Sequence, residues 1–378
     1  MLNSQVKRKK RKKITHLVTG LNCGGAETML YKLLSHIDQS KYDVKVISMI
    51  DNGFYGEKIK KLGINVYHLN MKPKQLNIMA FIKACKLIKG ADILQTWMYH
   101  ANIFGYLINK IVRGKKIIWG IRHANLDRDK NKYRTLLIVK ICAKLSKNVD
   151  HVISCSQTAV KTHIDYGYSP DNIITIPNGF EMNKFTYNKV AKKQLLCELK
   201  ITSNPFVISL VGRWDVLKDH KNFFQALRLV AQVKNNFFAI LCGSNINYTN
   251  KELKDLVLLN QLRNKVFLLD KRNDIPRIMS ASDILVSSSS GEGFSNVIGE
   301  AMACETPCVV TNAGDSAYIV GKTGLVVEKQ DPKQLAKAIL KMMDMKKYEL
   351  RELGKEARNR IMENYDIINI VKNYEALY

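Results

Sequence analysis

No two cysteines of this chain form a C-x-x-C pair, no apolar run approaches the roughly 18 residues of a bilayer-spanning helix, and no short-period repeat recurs. The eight cysteines (Cys23, Cys85, Cys142, Cys155, Cys197, Cys242, Cys304, Cys308) are scattered, mostly within apolar segments. That pattern suits small core residues in a reducing compartment. Cys304 and Cys308 have three residues between them and no nearby histidine, which does not match zinc-ligand spacing, so no metal is expected. The apolar stretch after the basic N-terminus, residues 14–20, is too short for a signal-peptide core. The expectation is a cytoplasmic protein.

Acidic residues are also scarce, 33 against 60 lysines and arginines, and the imbalance is uneven. Residues 1–190 carry 33 cations and 12 carboxylates, residues 191–378 carry 27 and 21. A field of one sign attracts polyanions, either nucleic acid or the anionic leaflet of a membrane, and charge alone does not choose between them.

What is abundant is core. With 378 residues and 46% hydrophobic content, the chain can fill two domains. Short apolar runs at 14–19, 44–49, 65–69, 93–96, 116–120, 151–155 and 173–176 alternate with helical patterns. The alternation restarts after a lysine-rich stretch, with runs at 206–212, 238–242, 265–269, 283–287 and 308–311. This predicts an α/β protein of two doubly wound, Rossmann-like domains facing a central cleft. The expected division is 1–185, 186–360, and a terminal helix at 361–378 that packs back toward the first domain.

The most informative stretch runs Ser287-Ser288-Ser289-Ser290-Gly291-Glu292-Gly293-Phe294-Ser295-Asn296 and continues into a helix carrying Glu300. Gly291 and Gly293 allow a tight turn, and a helix starting near Asn296 offers the amides of Phe294, Ser295 and Asn296 to an anion. Glu300 is placed to accept hydrogen bonds from ribose hydroxyls. The alternative for both glutamates is a solvated partner of the helix dipole. Upstream, Val211-Gly212-Arg213-Trp214-Asp215-Val216-Leu217-Lys218 places Arg213 and Lys218 in a loop after a strand, where they would neutralise a diphosphate leaving group without a metal. The alternative is solvated loop charge. Near the N-terminus, Gly24 and Gly25 let backbone approach a phosphate or sugar. The spacing departs from the G-x-G-x-x-G fingerprint, which argues against a nicotinamide dinucleotide.

Taken together, Gly24-Gly25-Ala26-Glu27, Ile176-Pro177-Asn178-Gly179, Arg213 with Lys218, and the pair Glu292 and Glu300 resemble family four of the glycosyltransferases, retaining enzymes of GT-B fold. The resemblance spans nearly the whole chain. It implies that Arg213 and Lys218 bind the donor diphosphate, that Glu300 holds the ribose, and that Glu292, with Gly293 and the following amides, contacts the transferred sugar. It implies retention, a nucleotide-sugar donor as substrate, and neither cofactor nor metal. Arg272, in the segment Lys271-Arg272-Asn273-Asp274-Ile275-Pro276, resembles the base-binding loop, through its side chain or its backbone.

Two first-domain stretches, Gln95-Thr96-Trp97-Met98-Tyr99-His100 and Trp119-Gly120-Ile121-Arg122-His123, resemble members acting on surface polysaccharides or lipid-linked saccharides. His123 matches a position that faces the reacting sugar; the alternative is a buried structural histidine. His100 and Trp97 are candidates for lining the acceptor cleft, against a packed core tryptophan. The cationic run from Lys7 to Lys13 and the lysine faces at 83, 86, 89 and at 140, 144, 147 suggest docking on an anionic leaflet. The reading is a UDP-sugar-dependent hexosyltransferase, peripheral at the inner face of the membrane, with a glycan or lipid-linked acceptor. The alternatives are a soluble glycan or protein acceptor, or a charge-driven nucleic-acid binder, for which no helix-turn-helix, aromatic or zinc motif is present.

Overall fold

The computed structural model describes residues 10–72, 77–127 and 131–378. The chain divides into two compact units, one ending at Gly179 and completed by Ile367–Tyr378, the other Phe180–Asp366.

The first unit is a seven-stranded sheet: β1 (Lys12–Val18), β2 (Tyr42–Ser48), β3 (Asn65–His68), β4 (Ile93–Trp97), β5 (Lys116–Ile121), β6 (His151–Ser154) and β7 (Ile173–Thr175). The order is β3-β2-β1-β4-β5-β6-β7, and every pairing is parallel. The crossovers are α1 (Gly25–His36), α2 (Gly53–Lys60), α3 (Ile78–Ile88), α4 (Tyr99–Ile111), α5 (Tyr133–Leu145) and α6 (Gln157–Asp165). Strands covered on both faces must be apolar on both. Accordingly Ile14, Ile93, Trp97, Ile118 and Ile153 fill one core, while Leu17, Leu94, Trp119 and Val152 fill the other.

The second unit runs α7 (Ala191–Glu198), β8 (Phe206–Val211), α8 (His220–Ala231), β9 (Phe237–Cys242), α9 (Lys251–Leu259), β10 (Val266–Leu268), α10 (Ile275–Ala281), β11 (Ile284–Ser287), α11 (Asn296–Ala303), β12 (Cys308–Thr311), α12 (Ser316–Val320), β13 (Gly324–Val327), α13 (Pro332–Asp344) and α14 (Lys347–Tyr365). Its parallel sheet has the order β10-β9-β8-β11-β12-β13. In each sheet the strand order reverses once, between β1 and β4 and between β8 and β11. Such switch points open a crevice beyond the carboxyl ends of the strands, where ligands of doubly wound sheets bind.

The final helix, α15 (Ile367–Glu375), packs on α1, and Ile367, Ile370, Val371, Tyr374 and Tyr378 are buried in the first unit.

Four details differ from the sequence expectations. The first crossing between units falls after Gly179 rather than near 185, because Phe180 is buried among Leu285, Ile298 and Met302 of the second unit and its amide donates to the Tyr365 carbonyl at 2.8 Å. The return occurs at Ile367 rather than 361, where α14 stops and a new helix begins. Of the cationic run, Lys12 and Lys13 belong to β1, while residues 1–9 lie outside the described residues. β13 was not anticipated: it is four residues long, sits at the sheet edge, begins with glycine and leaves Val326 exposed, so it lacks a two-sided apolar run. Among the cysteines, Cys142, Cys155, Cys242, Cys304 and Cys308 are buried, whereas Cys23 and Cys197 are exposed. Among the described residues no helix is long and apolar enough to cross a membrane.

Candidate functional site

The loops after β8 and β11 flank the switch point of the second sheet, and the sequence places its chemistry there. After β8 the chain turns at Gly212, whose amide donates to the Cys242 carbonyl at 2.8 Å, and Trp214 donates to Ser244 at 2.9 Å. Gly243, at φ 155°, permits this approach: a Cβ there would lie 1.9 Å from the Gly212 carbonyl oxygen. Asp215 then accepts the Leu217 amide at 2.9 Å and holds the Arg213 guanidinium at 2.8 Å. Burial works against the charge on Asp215, yet the Leu217 amide and Arg213 outweigh it and keep the carboxyl below its usual value. Arg213 is fastened at its base but 69% exposed along its side chain, so its remaining donors face solvent.

Lys218 ends the short 3-10 turn that follows and reaches Glu292 on the β11 loop, Nζ to Oε1 2.5 Å. Ser289 donates to the same oxygen at 2.8 Å, and the Ser288 hydroxyl donates to the Lys218 carbonyl at 2.9 Å. The two loops are therefore tied by side chain and backbone. The β11 loop is also pressed from behind, since a Cβ on Gly314 (φ 56°) would fall 2.4 Å from the Glu292 carbonyl oxygen.

The helix that follows, α11, begins at Asn296 with Ser295 as its N-cap. Ser295 makes no side-chain cap bond; its hydroxyl is buried and finds no partner among the described residues. The first amides of a helix have no acceptor within it, so α11 begins with backbone donors at the end of the β11 loop. Glu300 lies one turn further along and is partly exposed. Phe294 packs on Phe180 and Tyr365 with ring centroids 6.2 and 5.8 Å away, which anchors the turn.

Arg272, expected to face the base through its side chain or its backbone, has its side chain engaged within the chain. Its guanidinium pairs with Glu198 at 2.7 Å and Asp274 at 2.8 Å, and Arg277 bonds the same two carboxylates at 2.5 and 2.7 Å. Arg272 holds the Asp274 carboxyl well below the usual range and is itself raised by that carboxylate. The network commits the Arg272 side chain to fixing the loop after β10, leaving its backbone as the candidate contact.

In the first unit, Gly24 caps α1 and Gly25 opens it, beyond the carboxyl end of β1. A Cβ on Gly25 would meet nothing within 4 Å among the described residues, and one on Gly24 would first meet the Glu27 carboxylate, folded back at 2.3 Å. Burial raises Glu27 above its usual value, against the pull of its own amide. Among the described residues, then, no packing contact accounts for Gly25. His123 follows β5, is half-buried, and bonds Asn131 through Nε2 at 3.2 Å. Trp97 is fully buried, donating to His16 Nδ1 at 3.2 Å, and is a core residue rather than a cleft wall; His100 is exposed in the first turn of α4.

Sequence reasoning missed several participants. Asp215, Ser288 and Ser289 shape the loops after β8 and β11, and the only trace of Asp215 was its place two residues after Arg213. Met98 adopts φ 72° and ψ 160°, a region that glycine ordinarily fills, and its amide donates to the Gly120 carbonyl at 2.9 Å. No side-chain pattern announces such a backbone.

Comparison with known proteins follows the same two-part division. Residues 23–184 match the family described as Glycosyltransferase Family 4, and residues 205–345 match Glycosyl transferases group 1. The Escherichia coli UDP-Gal:alpha-D-GlcNAc-diphosphoundecaprenol alpha-1,3-galactosyltransferase is 30% identical over 80% of this chain and 79% of its own length. The Staphylococcus aureus capsular polysaccharide biosynthesis glycosyltransferase CapM is 24% identical over 98% and 97%. The fold superposes on that of Anabaena Alr3699/HepE, solved in complex with UDP, with a TM-score of 0.84 at 22% identity, covering 97% of this chain and 99% of that one. Two parallel sheets, the paired Lys218 and Glu292 beside a helix start, and a 30% relative over four-fifths of the chain converge on one conclusion: the chain belongs to family 4 of the glycosyltransferases, enzymes of the two-domain GT-B fold.

Proposed function

We propose that the protein transfers a hexose or N-acetylhexosamine from a UDP-sugar, with retention of configuration and without a metal, to a lipid-linked glycan in surface polysaccharide or glycoconjugate synthesis. The observation that carries this reading is the loop pair at the β8/β11 switch point. Arg213 and Lys218 of the β8 loop, the latter held to Glu292 of the β11 loop, combine in this reading with the start of α11 as a surface complementary to a diphosphate. In this reading the diphosphate takes over the charge of Lys218 that Glu292 otherwise balances. Glu300 holds the ribose hydroxyls, while Glu292 and the amides from Gly293 to Asn296 orient the sugar. His123 hydrogen-bonds a sugar hydroxyl, and Gly24 and Gly25 bring backbone donors to a phosphate or sugar.

The choice of donor and acceptor is supported by the relatives' names. One transfers from UDP-Gal to a GlcNAc-diphosphoundecaprenol, and a Campylobacter jejuni relative, 24% identical over 88% of this chain, carries an N-acetylgalactosaminyltransferase name with a diphospho-undecaprenol acceptor. The basic first half and a lipid-linked acceptor both suit the inner face of an anionic membrane. A thermal-shift panel of nucleotides and nucleotide sugars tests the reading. Ligand at a hundred times its dissociation constant adds about 2.7 kcal/mol of stability, so UDP and one UDP-sugar should raise the melting temperature where ADP and GDP do not. A panel with no shift for any nucleotide overturns the donor assignment.

A further inference from the structure

The loops after β1 and β2 are pressed together at the carboxyl ends of their strands. The Tyr55 amide donates to the Leu21 carbonyl at 2.8 Å, and a Cβ on Gly53 (φ 49°) would lie 2.4 Å from the Leu21 carbonyl carbon. This seats the first turn of α2, with Phe54 and Tyr55, beside the start of α1. Thr28 of α1 donates its hydroxyl hydrogen to the Gly24 carbonyl at 2.8 Å and lies 2.8 Å from the Tyr55 hydroxyl. A hydroxyl has one hydrogen, so Tyr55 is the donor in that pair and its oxygen keeps accepting capacity for another group.

Two side chains at this junction have no role in the packing described so far. Glu27 of α1 is half-buried, and among the described residues no cation and no side-chain donor holds its carboxylate. A carboxylate drawn from water without a partner is costly and is a feature of functional sites. Phe54 is 49% exposed yet fixed in attitude: it meets Tyr55 edge-on at 5.1 Å, and Lys58 Nζ stands 4.0 Å over its ring. The Lys58 ammonium makes no ion pair with Glu27. An aromatic ring is thus held in water next to two hydrogen-bond acceptors.

We propose that Phe54, Glu27 and Tyr55 form a subsite for a saccharide of the acceptor: an uncharged pyranose lays one C–H face on the Phe54 ring and gives hydroxyl protons to the Glu27 carboxylate and the Tyr55 oxygen. The proposal rests on the glycosyl transfer proposed above and decides between the phosphate and the sugar that Gly24 and Gly25 could serve. An unneutralised carboxylate repels a phosphate, and a nucleotide would bring the same repelled groups. A sugar offers what the junction lacks, hydroxyl donors for two acceptors and an apolar face for a ring.

Saturation-transfer NMR of the full chain with the methyl α-glycosides of glucose, galactose, N-acetylglucosamine and N-acetylgalactosamine, with and without UDP, is the test. At least one glycoside should bind, with saturation concentrated on the ring protons of one face. Phe54→Ala and Glu27→Gln should each weaken its affinity about tenfold, whereas Phe54→Trp, which keeps a ring, should retain it. Inorganic phosphate should not displace the glycoside from the wild-type chain. A merely structural role would lower all affinities together, so in both weakened variants the loss of glycoside affinity should far exceed any loss of UDP affinity. A panel in which no glycoside binds, displacement by phosphate, a Phe54→Ala or Glu27→Gln chain that binds as the wild type, or equal losses for glycoside and UDP would overturn the proposal. UDP binding without glycoside binding refutes this subsite and leaves the donor assignment standing; glycoside binding with no nucleotide binding does the reverse.

Discussion

Lys218 and Glu292 balance each other across the switch point of the second sheet, Nζ to Oε1 2.5 Å, and each is further held by a serine of the β11 loop. Partners in one ion pair act as a unit, so their losses should not add. Lys218→Met and Glu292→Gln should each lower kcat/KM strongly, and the double variant should fall only slightly further, with a coupling of about 0.5–3 kcal/mol. Strict additivity in the double-mutant cycle would separate the two residues functionally.

Glu300 and Arg213 should act on nucleotide affinity. Removing one charge-assisted hydrogen bond costs about 1.5–3 kcal/mol. Glu300→Ala and Arg213→Ala are therefore expected to weaken UDP binding by roughly tenfold to a hundredfold in calorimetry. Unchanged UDP affinity in both folded variants would remove them from the site.

On the metal-free reading proposed above, in which fixed cations and helix amides supply the charge that a metal supplies in carboxylate-rich transferases, turnover should survive EDTA. Among the described residues no cluster of three or more His, Cys, Asp or Glu could hold a metal ion. The chain has one Asp-x-Asp triplet, Asp127-Arg128-Asp129, and its last two residues lie outside the described ones. Silencing by EDTA with rescue by manganese would refute the metal-free reading, and Asp127→Asn would then be the next variant to measure.

Gly314→Ala should damage the donor loop from behind. The added methyl would sit 2.4 Å from the Glu292 carbonyl oxygen and 2.7 Å from that of Gly293, at a φ of 56° that side chains rarely adopt. Both contacts are with backbone, so the loop itself must shift. Stability should fall by about 1–3 kcal/mol and UDP affinity should fall with it, read by chemical denaturation and calorimetry. Full affinity in a destabilised Gly314→Ala protein would mean that the loop position does not matter to the donor.

Acid should destabilise the fold through buried histidines. Burial lowers His16 to about 3, His163 to about 4 and His220 to about 4, the last two with smaller contributions from nearby charge. His163 is fixed as the neutral tautomer that donates from Nδ1 to the Ala159 carbonyl at 2.7 Å and accepts the Tyr99 hydroxyl at Nε2, 2.8 Å away. Unfolded histidine takes up a proton near pH 6.5 and these folded ones do not, so the unfolded state binds more protons and stability falls as pH drops from about 6.5 toward 4. Each contributes on the order of 1.4 kcal/mol per pH unit in that window. Unfolding free energies that stay flat between pH 7 and 5 would contradict the burial of all three.

Each strand expected from the sequence is present, shifted by at most two residues, because buried parallel strands announce themselves as apolar runs between helical patterns. The helix start at Asn296 was legible for a similar reason: glycines and a serine precede an apolar helix. What escaped was geometry without a side-chain signature. The edge strand β13 needs only one covered face, and the strained Met98 and the 1.9 Å approach that Gly243 permits are properties of backbone alone. For Arg272 the sequence left side chain and backbone open, because a basic residue in a loop looks the same whether it awaits a ligand or serves Glu198 and Asp274.

The placement of α15 bears on the order of events during synthesis. Tyr374 and Tyr378 fill the same core as His16 and Trp97, and Arg122 reaches the Tyr374 hydroxyl, yet α15 is translated only after all of the second unit. The amino-terminal unit must therefore wait on the ribosome with one side of its sheet incomplete while the carboxyl-terminal unit emerges whole and free to fold. A released chain truncated after Asp366 should accordingly protect the later-made unit from protease more than the earlier one, reversing the usual amino-to-carboxyl sequence of domain folding.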